Sequence, residues 1–262
     1  MRRGDRRHFL KIAGLLVIGV GFKPAIDLLS GGGQVAAAGQ NSEAAPEARK
    51  LAMVIDVARC VEAGDCTDCI AACNRAHNIP RFENPKEEIK WIWKDSYLSA
   101  FPDTAGSYTA SSLQNRQIPL LCNHCDEPAC VRVCPTRATW KREDGIVMMD
   151  EHRCIGCRYC MTACPYGARS FNYRDPRHGL DGRVLNPDFP TRAKGVVEKC
   201  NFCVERIDDG GVPACVDACR RKAMVFGDLN DPRSQVRALL ESRTGLRRDP
   251  RLGTNPKLYY LV

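Results

Sequence analysis

The sequence predicts a loop-rich α+β fold of short hairpins and helices, one large domain or two small ones, built from one repeated device. Three observations predict it. Sixteen cysteines occur in 262 residues and fall into four groups of four, the regular clustering of an internal repeat. Aromatic residues supply only 7% of the chain, so the apolar core is modest and something besides it must hold the fold. No uninterrupted apolar run reaches the roughly 18 residues that read as a membrane span, which excludes an ordinary multi-span membrane protein. With 44% hydrophobic and 27% charged residues, the composition is globular.

The formal charge of +8 has to be located before it is interpreted. Residues 1–38 hold Arg2, Arg3, Arg6, Arg7, Lys11 and Lys23 against Asp5 and Asp27, a net of +4. The remaining residues carry 33 basic against 29 acidic groups, again +4. The body is therefore nearly balanced and has no basic stripe interleaved with aromatics, so nucleic-acid binding is not supported. The N-terminal excess reads as an address. A basic start, the apolar run Ile12–Phe22 and the small residues Ala36 and Ala38 follow the order of an export signal. Arg6-Arg7-His8-Phe9-Leu10-Lys11 resembles the twin-arginine type. A basic membrane-anchoring helix competes, but eleven apolar residues before Lys23 and Pro24 are too few to span unaided. We expect a twin-arginine signal peptide over 1–38, a Gly/Ala/Ser-rich linker over 39–50, and a protein exported folded to the periplasm or the outer face of the cytoplasmic membrane.

The cysteine spacing carries the chemistry. The first group is Cys60-x5-Cys66-x2-Cys69-x3-Cys73, and the second is Cys122-x2-Cys125-x4-Cys130-x3-Cys134-Pro135. The third is Cys154-x2-Cys157-x2-Cys160-x3-Cys164-Pro165, and the fourth is Cys200-x2-Cys203-x11-Cys215-x3-Cys219. The third matches the bacterial ferredoxin run C-x2-C-x2-C-x3-C-P residue for residue. Two residues between cysteines let a tight loop point successive thiolates at neighbouring corners of one cubane. The fourth cysteine lies beyond the turn and ligates the other cluster of a pair, and proline after it fixes φ. Four groups of four give four [4Fe–4S] clusters with no cysteine left over. Disulfides compete, since exported chains with even cysteine counts usually use them, but they leave four tight C-x2-C pairs unexplained. Zinc competes as well, yet has no need of the Cys-Pro ending. Redox-active dithiols find no thioredoxin-like surroundings here. Export after folding reconciles clusters with an oxidising compartment, because iron and sulfur can be inserted in the cytoplasm.

The segments Cys122-Asn123-His124-Cys125, Cys134-Pro135-Thr136, Lys141–Val147, Cys154–Cys160 and Cys164-Pro165-Tyr166-Gly167-Ala168 resemble the sixteen-cysteine ferredoxin subunits that partner molybdopterin reductases and quinone-reactive membrane proteins. The resemblance covers roughly residues 50–262. Asn172–Pro176, Asn186–Pro190, Gly195–Cys203 and Phe226–Asn230 look most like the DsrO branch, the periplasmic iron–sulfur subunits of DsrMKJOP complexes. The resemblance implies two ferredoxin-like domains, each holding two [4Fe–4S] clusters: an outer one from 51–114 and 195–230, and an inner one over 115–194. It implies an inner pair of ligand sets, Cys122, Cys125, Cys130 with Cys164, and Cys154, Cys157, Cys160 with Cys134. The outer pair is Cys60, Cys66, Cys69 with Cys219, and Cys200, Cys203, Cys215 with Cys73. The implied function is electron transfer, with no substrate site of its own. The implied partners are an NrfD/DsrP-like integral membrane subunit, through which the protein meets the membrane, and a periplasmic multihaem cytochrome c of the DsrJ kind. A molybdopterin subunit is the alternative to the cytochrome. Two features depart from the family pattern, the five residues between Cys60 and Cys66 and the Cys219-Arg220 ending of the fourth group.

The other elements follow from local signals. Thr139–Arg142 and Ile146–Met149 flank Glu143-Asp144-Gly145, a hairpin turn. Short helices are expected after Pro135 and Pro165. Over 231–262 we expect a helix capped by Asp231 with Pro232 at its first position, an apolar face of Val236, Leu239 and Leu240, and a stop at Gly245. Lys257–Val262 then forms a strand or a docking tail. His77 and His124 stand beside cysteines and read as supporting rather than ligating, and Trp91 and Trp93 suggest a strand with one buried face.

Overall fold

The run Leu51–Asp56 is apolar at every position but the last. In the computed structural model, which describes residues 48–103 and 111–262, it forms a fully buried strand, β1. A strand apolar on both faces has to be covered on both faces. Leu51, Met53 and Ile55 point into the main core, while Ala52 and Val54 pack with Val236 of the helix Gln235–Ser242 and with Leu261. β1 runs antiparallel to β8 (Met224–Asp228) and parallel to β10 (Leu258–Leu261), which pairs with β9 (Gly245–Leu246). The two ends of the described chain thus meet in one sheet.

Three two-stranded ribbons complete the β structure among the described residues. β2 (Ile92–Ser96) pairs with β3 (Gln117–Leu121), β4 (Thr139–Lys141) with β5 (Val147–Met149), and β6 (Ser170–Phe171) with β7 (Val197–Glu198). The expected hairpin around Gly145 forms with Thr139 opposite Met149, and Gly145 takes the left-handed φ of +82° that its turn requires. A side chain there would run into Lys257.

The cysteine groups share one local plan. Helix α1 (Val57–Glu62) carries Cys60 and is capped by Asp56, whose carboxylate accepts the Arg59 amide at 3.0 Å. Helix α2 (Asp68–Ala76) carries Cys69 and Cys73. In the other three groups the first two cysteines sit in a loop and the third in a single helical turn. These turns are Ala129–Arg132 with Cys130, Tyr159–Thr162 with Cys160, and Ala214–Asp217 with Cys215. The fourth cysteine follows just beyond.

Several expectations need correction. The short helices precede Pro135 and Pro165 rather than follow them, because each proline stops a turn that has already delivered the third cysteine. Asp231 closes a turn by accepting the Arg233 amide at 2.9 Å, and the last helix starts after Ser234 and ends at Ser242, short of Gly245. Of the strand and the docking tail expected for Lys257–Val262, the strand forms: Leu258, Tyr260 and Leu261 are buried in β10, inside the sheet. Trp91 and Ile92 are both buried, so the tryptophan alternation does not mark one covered face; Trp91 lies just before β2 and donates its indole N–H to Glu198 at 3.1 Å. Apart from these corrections, the β2–β3 and β6–β7 ladders run across the boundaries expected at 114/115 and 194/195, and the residues described from 48 onward belong to one compact unit. The expected signal peptide and most of the linker lie outside the described residues; Lys50, at the linker's end, already donates its amide to Asp228 at 2.7 Å.

Candidate metal centres

The loops aim their thiols through a repeated left-handed kink. The second residue of three C-x2-C pairs has positive φ: His124 at 41°, Gly156 at 70° and Phe202 at 59°. So does the third residue after three of the closing cysteines: Arg137 at 54°, Gly167 at 64° and Lys222 at 50°. Non-glycine residues in this region cost about 1–3 kcal/mol and persist where surroundings over-determine them. The kink turns backbone N–H groups inward, where they meet sulfur. The Phe202 amide donates to Cys200 Sγ at 3.4 Å, Ala214 to Cys203 at 3.3 Å and Ala223 to Cys219 at 3.3 Å. Group one lacks the kink, since the matching residue, Asp68, is already the first residue of the helix that carries Cys69.

None of the sixteen cysteines is paired in a disulfide, and folding gathers residues from distant groups. Cys60, Cys66, Cys69 and Cys219 line one cavity of about 480 Å³, together with Lys94, Arg220 and Arg221. Cys134, Cys154, Cys157 and Cys160 line another. Cys122, Cys130 and Cys164 lie near enough to Cys125 to raise its pKa, and Cys200, Cys215 and Cys203 near enough to Cys73 to raise that one. Electrostatic influence also passes between gatherings, so that the four follow one another as a row: Cys69 raises the pKa of Cys215, Cys122 that of Cys200, and Cys130 that of Cys160. Arg220, which lines the first cavity and stands where groups two and three have proline, pairs with Asp68 of α2 at 2.7 Å.

The electrostatics test what such sites could hold. Burial, then neighbouring thiols, push Cys69 up to about 11 and Cys125 up to about 12, and Cys73, Cys200 and Cys215 move up too. Four crowded, buried thiols are poor thiolates by themselves. They fit a group that brings positive charge of its own, as iron does, and accepts several sulfurs at once. Cys134 differs: burial raises its pKa, but the backbone at Thr139, Ala138 and Thr136, with the Thr136 side chain, brings it below the usual thiol range.

Around the thiols lies a shell of buried polar groups. His77 is 1% exposed and its Nε2 lies 2.8 Å from Glu205 Oε1, while Nδ1 lies 3.7 Å from Cys73 Sγ. Burial opposes its protonation, but Cys203 and Glu205 outweigh burial and hold the pKa up to about 9. His77, Cys203 and Glu205 place donor atoms within 4.8 Å of one another. His124 stacks on Phe202 with centroids 3.6 Å apart and accepts the Val147 amide at 3.0 Å. Burial first, and then Lys199, Lys257 and Arg169, drive its pKa well down, so the ring is neutral. Buried Lys199 donates to the carbonyls of Val147 and Cys200. The sequence analysis missed Arg169, Lys199 and Glu205. Lys199 carries one usable signal, its position directly before Cys200. Glu205 and Arg169 carry none, because His77 and Thr139, which they meet, lie far away in the chain.

Comparison with known proteins finds iron–sulfur subunits. The family described as "4Fe-4S dicluster domain" matches residues 114–178 and 186–229, which include the last three cysteine groups. The chain is 40% identical to the Hdr-like menaquinol oxidoreductase iron-sulfur subunit 1 of Archaeoglobus fulgidus, over 98% of this chain and 97% of that protein. It is 38% identical to the iron-sulfur cluster-binding subunit of menaquinone reductase of Nitratidesulfovibrio vulgaris, over 81% of this chain and 88% of that one. With a tetrathionate reductase subunit of Salmonella typhimurium it shares 32% identity, over 98% of this chain and 88% of the relative.

Proposed function

The chain belongs to the family of ferredoxin-type iron–sulfur subunits found in menaquinol oxidoreductases and tetrathionate reductases, and from that premise we propose a four-site electron relay. The sixteen cysteines fit four [4Fe–4S] clusters. The observation that carries the reading is the row of thiol gatherings, each drawn from two sequence groups. In this reading Cys60, Cys66, Cys69 and Cys219 hold the first cluster, and Cys73, Cys200, Cys203 and Cys215 the second. Cys122, Cys125, Cys130 and Cys164 hold the third, and Cys134, Cys154, Cys157 and Cys160 the fourth. The first two form an outer and the last two an inner ferredoxin-like half. Bound there, each cluster supplies reversible one-electron transfer. The protein's part is to hold the thiolates, donate N–H groups to sulfur, exclude water and set local charge.

The row has two accessible ends. One is the cavity lined by Lys94, Arg220 and Arg221. At the other Cys157 is exposed between Ile155 at 66% and Tyr159 at 62% exposure. Electrons enter at one end and leave at the other, so the chain needs two redox partners and no substrate site of its own. We take these to be a quinone-reactive NrfD/DsrP-like membrane subunit and a periplasmic multihaem cytochrome c of the DsrJ kind, as in the DsrO branch of sulfur metabolism. The near full-length similarity to a tetrathionate reductase subunit favours a second reading, in which a molybdopterin subunit replaces the cytochrome. The twin-arginine-like start supports export of the folded protein. Purification with native partners tests these points together. About sixteen iron and sixteen labile sulfide per chain are expected, with visible absorbance that bleaches on reduction; zinc or disulfides in their place would refute the relay. A co-purified multihaem chain selects the first partner set and a large molybdopterin chain the second. Replacing Arg6 and Arg7 by lysine should block export, and undiminished export would refute the twin-arginine assignment.

A further inference from the structure

His124 is the second residue between Cys122 and Cys125, and Phe202 the second between Cys200 and Cys203. Each ring therefore belongs to the C-x2-C loop of a different ligand set. The two lie face to face, with centroids 3.6 Å apart and planes 17° from parallel, and both residues are fully buried. Among the described residues this is the one ring contact that joins the C-x2-C loops of two groups. Both backbones are left-handed, at φ 41° and 59°, a conformation that Gly156 takes without strain at the matching place in group three. Two ring-bearing residues are held in it here, and both meet in the same contact. The stack is braced from both sides. Val147 donates its amide to His124 Nδ1 at 3.0 Å, and its carbonyl accepts from Lys199, whose ammonium also donates to the Cys200 carbonyl at 2.7 Å. The Phe202 amide donates to Cys200 Sγ at 3.4 Å, and Phe226 of β8 packs edge-on against the Phe202 ring at 5.3 Å. Contacts thus run in a closed circuit, from one loop through Val147 and Lys199 to the other and back through the stacked rings.

We propose that His124 and Phe202 are positioning residues that hold the second and third sites together and so set the rate at which an electron crosses between the outer and inner halves. The proposal rests on the four-site reading above and deepens it. In that crossing one electron leaves one site, which is oxidised, and reduces its neighbour; no bond forms or breaks and no proton moves. The rate of such a transfer falls steeply with the width of the gap and with any empty space in it. Close packing removes both, and here it is supplied by one flat ring lying on another. His124 Nδ1 is an acceptor, so the ring is neutral, and Phe202 is apolar. The pair adds no charge beside either site, so its loss changes the rate rather than the midpoints.

Freeze-quench EPR after rapid one-electron reduction of the complete protein follows the electron across this joint, with iron, labile sulfide and midpoints measured on the same samples. Phe202→Leu and His124→Leu each replace a flat ring by a side chain that cannot lie against the other ring. Both should keep about sixteen iron per chain, leave all four midpoints in place and slow the crossing several-fold. His124→Phe, which puts a ring back, should recover most of the rate. Full iron with an unchanged rate in the leucine variants would overturn the proposal while leaving the relay intact. So would a slowing accompanied by moved midpoints, because driving force would then account for it, or an equal slowing in His124→Phe, because the ring would not be what matters. Should one leucine variant fail to load, the other tests the stack from the opposite loop. Should both fail, the parent protein decides: a packed joint makes the crossing no slower than exchange within each half, and a slower crossing would overturn the proposal. A parent protein without iron and sulfide would overturn the relay itself.

Discussion

Glu205 accepts a 2.8 Å hydrogen bond from His77, and the pair ties the helix that carries Cys73 to the helix that starts just after Cys203. The first and fourth cysteine groups, 128 residues apart at this contact, are therefore joined by side chains as well as by any shared metal. Glu205 also accepts from Asn201 Nδ2 at 3.0 Å, and Asn201 in turn accepts the Cys203 amide at 2.8 Å. One carboxylate thus orients a C-x2-C loop from both ends.

Glu205→Ala should cost about 1 kcal/mol in thermal or denaturant unfolding. That is the lower part of the range for hydrogen bonds to charged groups, because the carboxylate is 36% exposed. Glu205→Gln, which keeps one carbonyl acceptor and sets an amide donor where the second oxygen stood, should recover part of the loss. Equal losses in the two variants would show that the charge, rather than the hydrogen bonds, is what matters.

Glu198 is a sharper case. Its side chain is 0% exposed and accepts from Arg192 at 2.8 Å, from the Trp91 indole at 3.1 Å and from Asn172 at 2.5 Å. Glu198→Ala strands the Arg192 guanidinium, itself 3% exposed, and should destabilise the protein by about 3–5 kcal/mol. The double variant Arg192→Met/Glu198→Leu should lose clearly less than the two single changes added together, and a double-mutant cycle measures that coupling.

Gly156 and Gly167 both have left-handed backbones, at φ +70° and +64°, but different surroundings. A side chain on Gly156 meets the Gly195 carbonyl, whereas Gly167 has open space around it. Gly156→Ala should disrupt the Cys154–Cys157 loop and lower iron from about sixteen to about twelve per chain. Gly167→Ala should keep all the iron and lose only about 1 kcal/mol.

Asp56 gives a pH-dependent test away from the thiol row. Burial raises its carboxyl pKa, but Arg243 and the Arg59 amide outweigh that and hold it below the ordinary range. A depressed folded-state pKa means that the stabilisation is complete above the unfolded value of about 3.9 and disappears as pH falls through the folded value. Asp56→Asn should therefore lower stability by about 1–2 kcal/mol at pH 7. The gap to the parent should be the same at pH 5 and narrow only below about pH 4, as melting curves across that range would reveal.

What the sequence determined by itself is the chemistry. Cysteine spacing is a local property: a C-x2-C loop points two thiols one way whatever surrounds it, and C-x3-C-Pro closes the loop. The hairpin around Gly145 was legible for the same reason, because turn chemistry is written in neighbouring residues. The termini of the helical turns were not, since a single turn bearing Cys130 or Cys160 is held by its sulfurs and its packing, and propensity barely acts over four residues. Only the tertiary structure decided what depends on residues far apart in the chain. The strand Leu258–Leu261 reads as a loose end until β1 is seen beside it. The two expected lobes share strands across their border. Lys199, Glu198 and Glu205 are ordinary charged residues in the sequence, and their roles appear only when folding removes water and leaves each with the partners that the other segments supply. Desolvation makes those few charges matter, and desolvation is a property of the packed whole.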